Sequence, residues 1–281
     1  MTDQAEALRR LALSTDETEH DARRTGALVL VHGVKRGIGA STLAVHLALR
    51  CQRHGFQTTL VDANRLDPKI HEVCQTRPTV TLEDVVNGTR TLRESKQTGP
   101  FGLSTIVIAQ SASPAPTCFR PEDPVIRQLA QLARHELVIV DVGHGGDLPA
   151  LLTISEHCLF VASIDQSTAL EAYATIKYVT PHIHCSTCWL IVNHVDDAQL
   201  ATQFEERLQV TCDRCLNLDL ELAGQIPQLD FKRDPWQRLT SSGRRDCPLE
   251  IAVQNITGRL ESRLVAQQAM TLRKIGVSYM S

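Results

Sequence analysis

Seven short apolar runs punctuate the chain: ALVLVHG from Ala27, TTLVDA from Thr58, LSTIVIA from Leu103, ELVIVDV from Glu136, HCLFVAS from His157, CWLIVNH from Cys188 and LELAGQIP from Leu220. Most are β-branched and apolar at consecutive positions, as strands covered on both faces should be. Helical periodicity fills the intervals, for instance Ser41 to His54, Thr168 to Val179 and Gln199 to Arg207, and Pro248 to Leu272 reads as a terminal helix. Strand–helix alternation predicts an α/β fold: a doubly wound, mostly parallel sheet of about seven strands with helices on both faces.

The first residues stand apart from this alternation. Asp3 to Leu11 reads as a short helix with Ala5, Leu8 and Leu11 on one side, and STDETEHDARRTG after it is a polar, flexible linker. The expected organisation is a docking helix over residues 1–12, a linker over 13–26 and one domain over 27–281. The 281 residues are 42% hydrophobic and 22% charged, ordinary values for a globular protein. A net charge of −3 gives no general attraction to nucleic acid or to an anionic membrane. No apolar run is long enough to span a bilayer, and the N-terminus lacks a secretory pattern, so a cytoplasmic location is expected. The nine cysteines then read as reduced thiols, some of them candidates for metal binding.

The most informative stretch is VLVHGVKRGIGASTLAVHLAL, from Val29 to Leu49. An apolar strand, a glycine-containing turn and a helix in this order form a phosphate-binding loop. Backbone N–H groups at a helix N-terminus surround phosphate oxygens, a lysine neutralises charge, and a Ser or Thr hydroxyl binds magnesium. The segment VKRGIGAST resembles the deviant loop of the MinD/ParA ATPases, GKGGxGK[ST]T. The resemblance implies that Lys35 is the signature lysine that reaches across a homodimer. It also makes Gly37, Gly39, Ser41 and Thr42 nucleotide-binding residues, with Ser41 the magnesium ligand for bound ATP or ADP. Val34 and Arg36 replace glycines, and Ala40 replaces the phosphate lysine. A charge-assisted hydrogen bond to phosphate contributes about 1.5–3 kcal/mol, so Ala40 costs about ten- to a hundredfold in affinity.

The remaining motifs follow the family order across residues 27 to 262. In LVDANRLD, Asp62 matches the first residue of an Asp-x-Asp pair, while Asn64 replaces the second, which orients the attacking water in the family; Asn cannot act as a base. In LVIVDVGHG, Asp141 and Gly145 match the magnesium and switch strand. Asp62 and Asp141 are the catalytic candidates, and Asn64 and Gly145 are switch positions. Asn193 in LIVNHV matches the adenine-reading residue, and Gly224 and Pro227 match the Gly-x-Ile-Pro turn. Together these imply a nucleotide-binding protein whose ATP hydrolysis is impaired or absent.

DQAEALRRL at the extreme N-terminus resembles the DQAxxLR helix of the FlhG branch (also called FleN or YlxH), the regulators of flagellum placement or number. Asp3, Gln4, Ala5, Leu8 and Arg9 match. In that branch the helix docks on a signal-recognition-type GTPase, FlhF, and stimulates it. The alternatives are a non-hydrolysing adaptor acting through the same helix and a bacterial tyrosine kinase of the same fold. The kinase is disfavoured because only Tyr279 lies near the end of the chain. The C-terminal segment from Val265 has few apolar residues and no Trp or Phe, so a solvated or packed helix is expected over a peripheral contact with the inner membrane.

HIHCSTCW and TCDRC set Cys185 with Cys188 and Cys212 with Cys215, each pair separated by two residues. That spacing predicts a structural four-thiolate zinc site at the edge of the sheet opposite the nucleotide. The plainer alternative is that the thiols fill apolar sites. An iron–sulfur carrier ranks lower, because in the relatives concerned the pair follows the adenine-reading strand.

Overall fold

The computed structural model describes residues 26–64, 66–77, 79–99, 102–107, 119–144, 148–183, 187–228 and 248–278, with side chains followed to residue 266. The docking helix at 1–12 and all of the linker except Gly26 therefore lie outside the described residues, as does Cys185.

Eight strands form one sheet: β1 (Ala27–Gly33), β2 (Thr58–Asp62), β3 (Gln97–Thr98), β4 (Ser104–Val107), β5 (Leu137–Gly143), β6 (His157–Ala162), β7 (Thr187–Val195) and β8 (Leu220–Pro227). Their order is β3-β4-β2-β5-β1-β6-β7-β8. All neighbours are parallel except the short β3, which pairs antiparallel with β4 at one edge. The seven predicted strands are present. The eighth, β3, is two residues long, too short to leave a hydrophobic pattern.

The helices are α1 (Ala40–Arg53), α2 (Ile70–Val73), α3 (Leu82–Val86), α4 (Leu92–Ser95), α5 (Pro124–Leu132), α6 (Leu148–Leu152), α7 (Gln166–Val179), α8 (Ala198–Leu216) and α9 (Pro248–Ser278). β1 runs through α1 to β2 on one side, whereas β5 runs through α6 to β6 on the other. Right-handed crossovers in opposite directions place α1 and α6 on opposite faces. The continuous burial of β1, β2, β5 and β6 follows from this double cover. α8 runs to Leu216, taking in Cys212 and Cys215, and closes on Asn217 in the left-handed conformation (φ 50°).

Two register facts position the site. Asp62 pairs with Asp141 at the C-terminal ends of β2 and β5, and Val31 pairs with Asp141 on the other side. Two carboxylates therefore stand side by side where β1 turns into α1. This is the crevice outside the carboxyl ends of the strands where open α/β sheets bind ligands.

Candidate nucleotide site

β1 ends at Gly33, and the chain folds back sharply before α1. A Cβ at Gly33 would lie 2.9 Å from the Ile38 side chain and 3.2 Å from that of Ala40, so only glycine allows the loop to close. Gly33 was not among the predicted site residues. Its signal was the strand-ending glycine of VHGVKRGIG. The left-handed turns fall on Gly37 (φ 77°) and Gly39 (φ 91°), which glycine adopts without strain. Val34 and Arg36, where the family has glycines, do not adopt positive φ, so these two replacements leave the loop open. Instead Val34 packs into the core, and its N–H donates to the Val161 carbonyl at 3.0 Å.

The loop encloses a cavity of about 390 Å³ lined by Lys35, Arg36, Gly37, Gly39, Ala40, Ser41, Thr42, Asn64, Asp67, Lys69 and His144, among others. Lys35, Gly37, Gly39, Ser41 and Thr42 thus meet in one place. A larger cleft of about 930 Å³ lies between β8 and α9, away from these motifs. Of its arginines, Arg263 pairs with Glu221 and Arg259 donates to the Leu222 carbonyl.

Ala40 is buried at the first position of α1, where its methyl supplies no charge. Among the described residues, three long basic side chains nevertheless line the cavity. Lys35 Nζ donates to Ser167 Oγ at 2.9 Å and lies 3.8 Å from Asp165, at the start of α7. Arg36 Nη2 and Lys69 Nζ share one oxygen of Asp67, at 3.4 and 2.9 Å. The hydrogen bond from Lys69 is the main influence holding the Asp67 carboxyl below the usual carboxylate range. Lys69 and Asp67 carried no motif signal, because they follow β2 in an irregular segment.

Beneath the loop, Asp62 and Asp141 are fully buried. Burial, then the neighbouring Asp141, push the Asp62 carboxyl well above its ordinary value, although the N–H groups of Ile70 and Asn64 donate to it at 3.0 and 3.1 Å. Burial raises Asp141 to about 6, opposed by the Ser41 hydroxyl and by the Gly143 N–H at 2.9 Å. Among the described residues, Asp141 Oδ2 is buried with no hydrogen-bond partner. An orphaned carboxylate oxygen near a Ser hydroxyl fits a hard divalent cation, which prefers oxygen ligands. Ser41 and Asp141 are the residues that would hold magnesium here.

Asn64 is fixed at both ends of its amide. Its Nδ2 donates to the Asp67 carbonyl at 3.0 Å, and its Oδ1 accepts from the Asp67 N–H at 3.2 Å. Gly143 (φ 65°) packs so closely on it that an added Cβ would lie 2.3 Å from the amide carbon. Asn193 is also engaged: its Nδ2 donates to the Ile38 carbonyl at 2.8 Å and its Oδ1 accepts from the His194 N–H. It thereby props the phosphate loop from below, against Gly39. Neither Asn193 nor Pro227, at the end of β8, lines the cavity. The predicted switch residue Gly145 and the docking residues Asp3, Gln4, Ala5, Leu8 and Arg9 lie outside the described residues.

The zinc expectation is not supported. Among the described residues no group of three or more His, Cys, Asp or Glu side chains gathers as a metal site. Cys188 lies inside β7, in register with Cys158 on β6, and both are buried. Cys212 is buried on α8, while Cys215, a turn later, is exposed. Burial pushes the Cys188 thiol up to about 12 and that of Cys212 to about 11. Cys212 and Cys215 lie in the last turns of α8, as the sequence reading placed them, on regular helix.

No family model matches the chain. It is 25% identical over 216 residues to the antiactivator FleN of Pseudomonas aeruginosa, covering 75% of this chain and 77% of FleN. Among solved structures, a ParA family ATPase from Chlorobium tepidum superposes with a TM-score of 0.67 at 15% identity, covering 83% of this chain and 98% of that one. MinD from Pyrococcus horikoshii, solved with Mg-ADP, gives 0.64 at 17% identity, covering 83% and 94%. The sequence is thus similar to that of FleN, and the fold is the one seen in MinD and ParA proteins.

Proposed function

We propose that the chain is a FleN/FlhG-like regulator that binds an adenine nucleotide with magnesium and hydrolyses it slowly or not at all. The observation that carries this reading is an open phosphate cradle from which one cation is missing. Gly33, Gly37 and Gly39 keep the loop in its binding shape, and Ala40 occupies the place of the lysine. Binding uses backbone N–H groups at the start of α1, which a Lys→Ala replacement does not remove. Hydrolysis depends more on charges that act in the transition state, and there Ala40 and Asn64 are two losses.

In this reading the nucleotide state sets the shape of the loop and of the segment after β2, and a homodimer forms across the cradle with Lys35 reaching the second copy. The output passes through the N-terminal DQAEALRRL motif to an FlhF-type GTPase, controlling flagellum placement or number. The location is cytoplasmic, and no helix among the described residues is long and apolar enough to cross a membrane. A non-hydrolysing adaptor is the second reading, favoured by Ala40 itself.

The test is titration of the purified chain with ATP and ADP, with and without magnesium, alongside a hydrolysis assay. Magnesium-dependent binding with little turnover supports the first reading. Absence of binding with an intact fold leaves the adaptor, and family-typical turnover removes both. A peptide covering Met1 to Leu13, assayed for stimulation of the GTPase, tests the partner separately.

A further inference from the structure

Among the described residues, every long basic side chain lining the cradle is held by an acid of the same chain. Lys35 leans on Asp165 at the start of α7. Arg36, from the loop itself, and Lys69, just before α2, converge on a single oxygen of Asp67. Arg36 is 73% exposed and Lys69 48% exposed, whereas Asp67 is only 32% exposed. Asp67 is also the best anchored of the three, because its backbone N–H and carbonyl are both bound by the Asn64 amide. Asn64 is in turn packed against Gly143. A carboxylate on a fixed turn therefore holds two mobile cations at the mouth of a phosphate cavity that lacks its own.

From this arrangement, and resting on the nucleotide reading above, we infer that Asp67 is a built-in competitor for the phosphate site, and that Arg36 and Lys69 supply the charge that Ala40 does not. In the empty state the two cations are neutralised by Asp67. A polyphosphate carries three or more negative charges against the single charge of Asp67, so it draws Arg36 and Lys69 across the short distance into the cradle. The exchange costs little, because ion pairs this exposed are weak. The occupant is a nucleoside di- or triphosphate, and the more highly charged ligand displaces Asp67 more effectively. Asn64 has a second role here. Its amide both donates to and accepts from Asp67, which a carboxylate at that position could not do. The replacement that weakens hydrolysis thus fixes the counter-ion.

The experiment is calorimetric titration of the full chain with ADP, ATP and inorganic pyrophosphate in magnesium at low ionic strength. Four variants are compared with wild type: Asp67→Asn, Asp67→Glu, Lys69→Ala, and Asp67→Asn with Lys69→Ala. Asp67→Asn should tighten binding about three- to tenfold, the range exposed pairs permit. Asp67→Glu should stay close to wild type, and Lys69→Ala should weaken binding by a similar factor. In the double variant most of the gain should vanish, leaving only the share that belongs to Arg36. Raising the salt to molar levels should shrink these differences. Equal affinities for wild type and a folded Asp67→Asn overturn the inference while leaving nucleotide binding intact. A gain that survives in full without Lys69 overturns it as well. If neither wild type nor Asp67→Asn binds any of the three ligands, the nucleotide reading falls and this inference with it.

Discussion

At the C-terminal edge of the sheet, Asp62 and Asp141 stand in paired register below a loop that opens on a cavity, and three separate chain segments converge there. At the N-terminal edge, Cys188 and Cys212 are packed into the apolar interior, one in a strand and the other on a helix. Both sets drew attention through spacing. The first assembles because its residues sit where strands end and turns begin, so side chains point into one crevice. Among the described residues the second does not gather as a metal site, because a residue inside a regular element points where that element sends it. CxxC in a loop can wrap an ion; on α8 it places one thiol inward and the next outward.

The difference should be sharpest in the response to pH. His32, at the end of β1, is buried and edge-on to Phe160, and burial followed by the neighbouring His144 lowers it to about 4. Its folded value lies below its ordinary one, so its contribution to stability is fully present above pH 6.5 and is lost as pH falls toward 4. That window is worth about 3 kcal/mol. His32→Leu should remove this acid limb, measured as the difference in unfolding free energy between pH 7 and pH 4. An unchanged limb would mean that His32 does not set it. The thiols of the opposite edge, at about 11 and 12, should add nothing over the same range.

Restoring the missing cation is the next largest change. Ala40→Lys should raise nucleotide affinity about ten- to a hundredfold, the value of one charge-assisted bond to phosphate. Titration would show it, and no gain in a folded variant would mean that the loop cannot present the new side chain.

The glycines of the cradle separate strain from packing. An added Cβ at Gly37 meets nothing within 4 Å, so Gly37→Ala should cost only about 1–2 kcal/mol of left-handed strain. At Gly39 the same change also meets Asn193 Nδ2 at 2.5 Å. Gly39→Ala should therefore melt lower than Gly37→Ala and lose nucleotide binding as well. Equal melting temperatures would show that Asn193 moves aside freely.

The smallest effect is expected where zinc had been anticipated. A strong chelator should leave the melting temperature unchanged, and Cys215→Ser, at an exposed position, should stay within about 0.5 kcal/mol of wild type. A chelator-dependent drop, with zinc found by elemental analysis, would restore the metal site.

Much of this architecture was legible in the chain itself. The central strands are apolar at consecutive positions, which marks burial on both faces, and VHGVKRGIGAST specifies a strand, a tight glycine turn and a helix through local backbone demands alone. Asp62 and Asp141 could be read because each ends an apolar run. Periodicity could not show β3, whose two residues pair only because β4 lies beside them. The use of Asn193 as a prop and the sharing of Asp67 by Arg36 and Lys69 were decided in three dimensions. In each case the partners are far apart in sequence or lie in irregular loops, where no repeat constrains direction. Local sterics and patterning fixed the elements; which side chains face one another, and which charges neutralise which, depended on how those elements packed.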